Sequence, residues 1–314
     1  MAFDFDHAVT APFRMQPGLR KWEGNATQLT PNRPGARHLR EKLAILMTWP
    51  ERALQQVDGF DATPALDALA AQAAQEHPAA FQIVHGHTWQ ATWLGWAVTP
   101  AGEVRDIGST LPEVGACLAA LPVEWRRAGL LVLAFAEDFA IIDGANATLP
   151  WLAVCLPSHW APQDKIGRHF AQVHAPVADN AVLIKAGEHL MRLACGAQRW
   201  ERFVWNLTRH PRLNNHPATL DPSPWPAEAD ANALAALTWF RTEQQTFIPL
   251  PERQQAVFTI RVDTQPLPEA ITTAAQARAL AEAVATMSEA VLDYRDMADA
   301  RGRLLDWLNA RASL

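Results

Sequence analysis

Two runs late in the chain, residues 240–248 and 256–263, are dense in aromatic and β-branched side chains and are separated only by Pro249, Leu250, Pro251 and the polar segment 252–255. Side chains of that kind favour the pleated surface of a sheet, and a short proline-bearing link between two such runs reads as an antiparallel hairpin. A hairpin of this length needs further strands to cover its faces. Candidates are residues 199–208, 149–156 and the Trp-rich run 81–99, which Gly86 and Gly95 break into a hairpin or a pair of strands. Residues 129–143 read LLVLAF and then FAII, which suits a buried strand interrupted by Glu137 and Asp138.

Helical spacing of apolar residues marks 36–54, 63–76, 111–121, 163–174, 181–197 and one or two long helices across 270–312. Strands and helices do not alternate strictly, and no glycine-rich phosphate loop is present. The expected class is therefore α+β, an antiparallel sheet flanked by N- and C-terminal helices. We expect one elaborated domain over 1–314, with a core at about 80–265, a helical extension over 1–79 and closing helices over 266–314. Residues 211–229, rich in proline, read as a long surface loop.

Composition narrows the function. In 314 residues, 49% are hydrophobic and 19% charged, enough apolar material for a large core, and the net charge of −6 comes with no basic run to neutralise phosphates. A nucleic-acid partner is not expected. No stretch approaches the roughly 18 apolar residues of a membrane span, and the start has neither a basic nor an apolar signal-like region, so a cytoplasmic protein is expected. The three cysteines, Cys117, Cys155 and Cys195, are too scattered for a zinc or iron–sulfur site and read as reduced core thiols. Neither a Gly-x-Ser-x-Gly elbow nor a His-Glu-x-x-His helix is present, which disfavours a hydrolase.

Residues 155–177, CLPSHWAPQDKIGRHFAQVHAPV, carry the most chemistry. An apolar run passes through a Pro-Ser turn into a helical pattern that delivers His174 to the helix's C-terminal end. On residue chemistry alone this is a candidate metal or haem ligand, or an ordinary core histidine, and it implies no reaction. His169 and His159 are alternative ligands, with His159 on the far side of a bound group. His85 and His87 share a strand face at a spacing zinc sites use, but lack a third ligand. Arg241 and Glu243, two apart on a strand, form either an internal ion pair or a receptor for a cationic amine. Most of the thirteen tryptophans, dispersed as they are, read as core.

The same stretch resembles the catalytic (alpha) subunits of haem-dependent oxidative N-demethylases, whose hallmark here is Pro157, Ser158 and Trp160, then Lys165 and Gly167, then His174-Ala175-Pro176-Val177. Similar segments are Pro12-Phe13-Arg14-Met15 with Gly18-Leu19, Glu137-Asp138, Arg241 to Thr246, Leu250-Pro251 and Phe258-Thr259-Ile260-Arg261. Two departures stand out. Val204 occupies a position where the family has Asn, with Asn206 two places later, and His159 stands in a turn where a smaller residue is common.

The resemblance implies a PAS-like haem domain built on a five-stranded antiparallel sheet, with His174 as the iron ligand and Pro176 stiffening its segment. It implies a monooxygenase that takes dioxygen and a small secondary methylamine such as dimethylamine and releases formaldehyde. Electrons would come from NADPH through FMN and iron–sulfur reductase subunits, since this chain has no nicotinamide fingerprint or cysteine cluster. Ser158 and Trp160 fall in the cofactor-binding turn. Lys165, Arg168, Arg241 and Arg261 are candidates for the haem carboxylates, although Lys165 and Arg168 equally suit a solvated helix face. Glu243 and Arg241 are the candidate catalytic pair. Two other readings stay open: a PAS-like sensor of haem or a small ligand without turnover, and a cofactor-free scaffold subunit.

Overall fold

The computed structural model describes residues 3–22 and 26–313. Its strands form two antiparallel sheets among these residues. The larger has the spatial order β1 (Arg20–Lys21), β9 (Trp200–Thr208), β10 (Trp239–Leu250), β11 (Gln255–Pro266), β7 (Asp138–Asp143), β8 (Thr148–Ala153) and β2 (Leu54–Gln56). The smaller is a meander of β3 (Phe81–Val84), β4 (Thr88–Ala91), β5 (Trp96–Val98) and β6 (Val104–Asp106). The chain is thus a mixed helix and sheet protein.

The expected hairpin lies at the centre of the large sheet. Its register runs without a break from Trp239 opposite Pro266 to Leu250 opposite Gln255, and Gln254, at φ 52°, closes the turn in the left-handed region. Seven strands, not five, result because short segments from the N-terminal part of the chain, β1 and β2, cap both edges. Covering an edge in this way removes the unpaired backbone groups that would otherwise recruit another chain.

Helices fill both faces. α1 (Phe5–Ala8), α2 (Arg37–Thr48), α3 (Pro50–Ala53) and α4 (Thr63–Glu76) come first. Pro50 lacks the N–H that would continue α2, so the single helix expected over 36–54 is two. Next come α5 (Pro112–Ala120) and α6 (Arg126–Ala134), then α7 (Phe170–His174) and α8 (Ala181–Cys195). α9 (Ala231–Leu237), α10 (Leu267–Ala270), α11 (Ala274–Ala285), α12 (Glu289–Tyr294) and α13 (Arg301–Ala312) complete the set.

The largest apolar cluster joins α2, α4, α5 and α6 to the small sheet and to one face of the large one through Phe139, Ile141 and Trp151. α8 lies on the opposite face, where Met191, Ala194 and Cys195 meet Ile142, Phe247 and Ala256. The alternation of Phe139 and Ile141 with Ala140 and Ile142 divides β7 between these two cores. A third cluster is built by the C-terminal helices against Trp205, Leu207 and Phe240.

Several expectations change here. Residues 130–134, read as part of a strand, belong to α6, where every residue from Ala128 to Ala134 is buried. A helix buried all round shows no periodicity to separate it from a buried strand. The single helix expected over 163–174 is a 3-10 turn, Pro162–Asp164, followed after a gap by the five-residue α7. His85 and His87 do not share a strand face, because they lie in the 3-10 turn between β3 and β4, with His87 at φ 56°. The 211–229 loop is not wholly superficial, since Leu213, Asn214, Asn215, His216 and Trp225 are buried.

One polar pair ties the layers together. Lys42 and Asp138 are both fully buried and lie 3.1 Å apart. Lys42 Nζ also donates to the carbonyls of Phe135 (3.0 Å) and Glu137 (2.5 Å), and Asp138 accepts from Leu156 N–H at 2.6 Å. Beside them Glu137 accepts from Thr30 N–H at 2.9 Å, and burial pushes its carboxyl above the usual range. No helix among the described residues is long and apolar enough to cross a membrane.

Candidate functional site: a cavity lined by His174

Between the large sheet and the α7–α8 segment lies a cavity of about 590 Å³, within the roughly 300–1,000 Å³ of small-molecule sites. Its walls divide by chemistry. Ala140, Ile142, Leu152, Phe258 and Ile260 form an apolar side from β7, β8 and β11, while β9 and β10 contribute Arg202, Val204, Asn206, Arg241, Glu243 and Gln245. Strand alternation explains the second set. The even residues of β9 and the odd residues of β10 share one sheet face, with Arg202 opposite Gln245, Val204 opposite Glu243 and Asn206 opposite Arg241. A hollow beside Trp49 and His216, about 10 Å³, has room only for a water.

His174 lines the cavity from the last position of α7. Its Nδ1 lies 2.9 Å from the carbonyl oxygen of Phe170, which can only accept, so the proton sits on Nδ1. That leaves the Nε2 lone pair without a partner among the described residues. The Phe170 ring packs against the imidazole at 4.0 Å between centroids. Burial, reinforced by the Arg202 and Lys165 cations, drives the His174 pKa down to about 4, so the ring is neutral at physiological pH.

α7 is too short to hold itself together, and its neighbours hold it. His169, its N-cap, uses Nδ1 to accept from Ala171 N–H at 3.2 Å, and Gln172 answers from the third position. His169 is therefore committed to capping rather than to ligation. Phe170 N–H donates to Ala147 at 2.7 Å, and Lys165 Nζ donates to the Val173 carbonyl at 2.6 Å. Burial lowers the Lys165 pKa. Trp160 and Lys165 both line the cavity.

Arg241 and Glu243 are joined through Ser158. The serine hydroxyl donates a short hydrogen bond to Glu243 Oε1 and accepts from Arg241 Nε at 2.7 Å. Glu243 Oε2 accepts from Gln245 Nε2 at 2.5 Å. The rest of the Arg241 guanidinium donates to the carbonyls of Arg212 (3.1 Å), Pro157 (3.1 Å) and Leu213 (2.7 Å), and burial lowers its pKa to about 10. Arg241 thus locks the Pro-Ser turn onto the 212–213 loop, where most of its donors are spent.

Two further candidates from the sequence stand outside the cavity. Arg261 is one residue past Ile260 on β11 and so points to the other sheet face, where it donates to Asp263 (2.9 Å) and Thr30 (3.0 Å). Arg168 is exposed in the turn before α7, because no continuous helix carries it inward. His159, held at φ 63°, lines the cavity 5.7 Å from the ring of buried His210. Tyr294 and Arg295, which the sequence did not single out, also line the cavity, as do Arg202 and Asn206, which the sequence offered only as parts of the family-like segment around Val204 and gave no role.

No group of three or more His, Cys, Asp or Glu side chains suited to a bare metal ion occurs among the described residues. A neutral imidazole with a bare Nε2 on the wall of a large, half-apolar cavity suits instead a metal that brings its other ligands with it, as iron in a porphyrin does. A family model described as haem-dependent oxidative N-demethylase, alpha subunit-like, matches residues 38–305. The chain belongs to that family. Within this demethylase family match lie the Pro157-Ser158 turn, the His174 segment and the whole polar wall of β9 and β10. The residues present fit a haem: one axial imidazole with its tautomer fixed, apolar surface for a macrocycle, and cations at the polar side.

Proposed function

We propose that this chain is the haem-binding catalytic subunit of an oxidative N-demethylase, with His174 as the axial ligand. The observation that carries the reading is the His174 ring itself, with Nδ1–H fixed on Phe170 and a bare, unprotonated Nε2 on the wall of a cavity of about 590 Å³. A PAS-like reading of the architecture, in which an antiparallel sheet faces a ligand-bearing helix, is in keeping with it. We treat the chain as one elaborated domain, because walls of the cavity come from Met15 at one end and Arg295 at the other.

Bound there, haem supplies dioxygen activation, with electrons from NADPH delivered by FMN and iron–sulfur partner subunits. The net change is that a secondary methylamine, dioxygen, two electrons and two protons give a primary amine, formaldehyde and water. Glu243 is the residue that receives the amine. Its two oxygens each accept one hydrogen bond, from Ser158 and Gln245, and each keeps acceptor capacity toward the cavity for an ammonium N–H. As a carboxylate it is also the group to take the proton that a secondary ammonium sheds before oxidation at nitrogen's neighbouring carbon. Arg241 acts through Ser158, holding the hydroxyl that orients Glu243. The opposing apolar wall excludes water and larger polar amines. A cytoplasmic site is consistent with three free, buried cysteines.

Addition of haemin to the purified protein tests this directly. A Soret band that moves on titration with dimethylamine, and whose position changes in His174→Ala, supports the reading. A spectrum identical to free haemin overturns it. Oxygen uptake that depends on amine and a reductase separates an enzyme from a sensor built on the same pocket.

A further inference from the structure

Of the four cations that were candidates for the carboxylates of a bound macrocycle, Arg168 and Arg261 lie outside the cavity, Arg241 spends most of its donors on Ser158 and backbone carbonyls, and Lys165 is tied to the Val173 carbonyl. Two other guanidinium groups face the cavity. Arg202 projects from the centre of β9, and what accessible surface it has opens onto the space it lines. Its Nε is enclosed with no acceptor, and no hydrogen bond or ion pair reaches its terminal nitrogens among the described residues. The nearest carboxylate on the wall, Glu243, is engaged by Ser158 and Gln245.

Arg295 follows α12 and lies in the corner made by the rings of Phe13 and Trp205, whose planes stand 86° apart, 4.6 and 5.1 Å from their centroids. One of its terminal nitrogens donates to the Trp205 carbonyl at 2.9 Å, and no carboxylate pairs with it among the described residues. The two rings hold the guanidinium in place and leave its remaining donors for a ligand. Burial holds both groups below the ordinary arginine pKa, Arg295 at about 10, which leaves that group a cation at neutral pH. Two desolvated positive charges, with only the Glu243 carboxylate acting on Arg202 and no carboxylate paired with Arg295 among the described residues, are a costly arrangement for an empty protein, and one that an anionic ligand relieves.

Both are anchored to one strand. Arg202 grows from it, and Arg295 is tied to the carbonyl of Trp205 three residues on, about 10 Å along the strand. We propose that Arg202 and Arg295 form a two-point receptor for a pair of carboxylates on the ligand that His174 binds, which on the haem reading above are the two porphyrin propionates. Each guanidinium meets one carboxylate through charge-assisted, fork-like hydrogen bonds. The polar side of the cavity then fixes which way round the macrocycle enters, while the apolar side takes its ring.

The test compares haemin with haemin dimethyl ester, which keeps the ring and iron but lacks both negative charges, using tryptophan quenching and the Soret band on the full chain. The wild-type protein is expected to bind haemin at least tenfold tighter than the ester. R202M and R295M should each weaken haemin about tenfold, leave the ester's affinity and the Soret position unchanged, and R202K should recover part of the loss. Equal affinity of the wild-type protein for haemin and ester overturns the proposal while leaving His174 ligation standing. Equal weakening of haemin and ester in both variants, with unchanged thermal melting, also overturns it. If neither compound binds the wild-type protein, the haem reading itself fails and this inference with it.

Discussion

His174 is neutral because it is buried, and that makes acid its opponent. Its pKa in the folded chain, about 4, lies below the ordinary value of 6.5, so the unfolded state binds the proton more readily. The stability tied to a neutral His174 is complete above about pH 6.5 and is lost as pH falls toward 4. Its ceiling is about 3 kcal/mol by the usual 1.36 kcal/mol per pH unit, reduced by whatever screening the cavity's water provides. Urea midpoints of the haem-free protein between pH 7.5 and 4.5 should fall more steeply for the wild type than for His174→Gln. Parallel slopes would remove His174 from the account. Haemin affinity, in contrast, should be flat from about pH 5 to 8, because Nε2 is bare throughout.

The sequence pointed to His174, Ser158 and Glu243 because each sits in a recognisable run, and the structure brings all three to one cavity. Arg202 escaped for a physical reason. In β9 the residues Arg202, Val204 and Asn206 alternate with buried Phe203, Trp205 and Leu207, and the polar side of such a strand ordinarily faces solvent. Nothing local distinguishes water from an internal cavity. Val204 and Asn206 share that face, about 7 Å apart along the strand, so an amide does reach the cavity wall.

At the scale of elements, α7 is a five-residue helix whose position is dictated by what touches it. Gly187 on α8 is what allows Phe170 to approach, since a Cβ there would lie 2.5 Å from Phe170 Cδ1. Gly187→Ala should push Phe170, and the imidazole stacked on it, out of line. We expect a loss of about 1–3 kcal/mol from overpacking together with weaker haemin binding, read by chemical denaturation and by titration. A variant that binds haemin normally would show that α7 adjusts freely. A second element-level prediction concerns Lys42, which links α2 to the start of β7. Lys42→Met keeps the volume but strands the buried Asp138 carboxylate, at a cost of about 3–5 kcal/mol in urea unfolding. A loss under 1 kcal/mol would mean that Asp138 takes up a proton at little cost.

Elements were legible in proportion to their one-sidedness. The helix over Thr63–Glu76 emerged at its observed bounds because its apolar residues keep one face, with buried Ala65, Leu69 and Ala73 at helical intervals. The β10–β11 hairpin emerged because of its composition. α6 did not, because LLVLA is buried on every side. The helix expected to precede His174 shrank because Gly167, at φ 66°, and the N-cap His169 interrupt it. Apolar spacing at 166, 170 and 173 could not reveal that break.

Over the whole molecule, the cavity is assembled from distant stretches of chain. Met15 to Leu19 supply one wall, and Arg20 pins that segment by donating to Asp4 at 2.6 Å and to Glu201 at 2.7 Å. Phe13, whose N–H donates to Thr286 at 2.8 Å, forms one side of the corner that holds Arg295. Removing residues 1–19 should therefore leave the far-ultraviolet circular dichroism largely intact while speeding haem loss about tenfold or more, measured by transfer to apomyoglobin. An unchanged release rate would show that the sheet and α8 retain the ligand alone. Occupancy should also raise the melting temperature, roughly with the logarithm of ligand concentration once the ligand exceeds its Kd, because only the folded chain binds.

Arg295 and the Trp205 carbonyl that steadies it are separated by ninety positions, and the ring on its other side, Phe13, precedes it by far more. On a ribosome, the strands, His174 and Arg202 would be finished while Arg295 was still untranslated. On the proposed reading, a tightly held ligand therefore waits for a polypeptide in which Phe13 and Arg295 have already met.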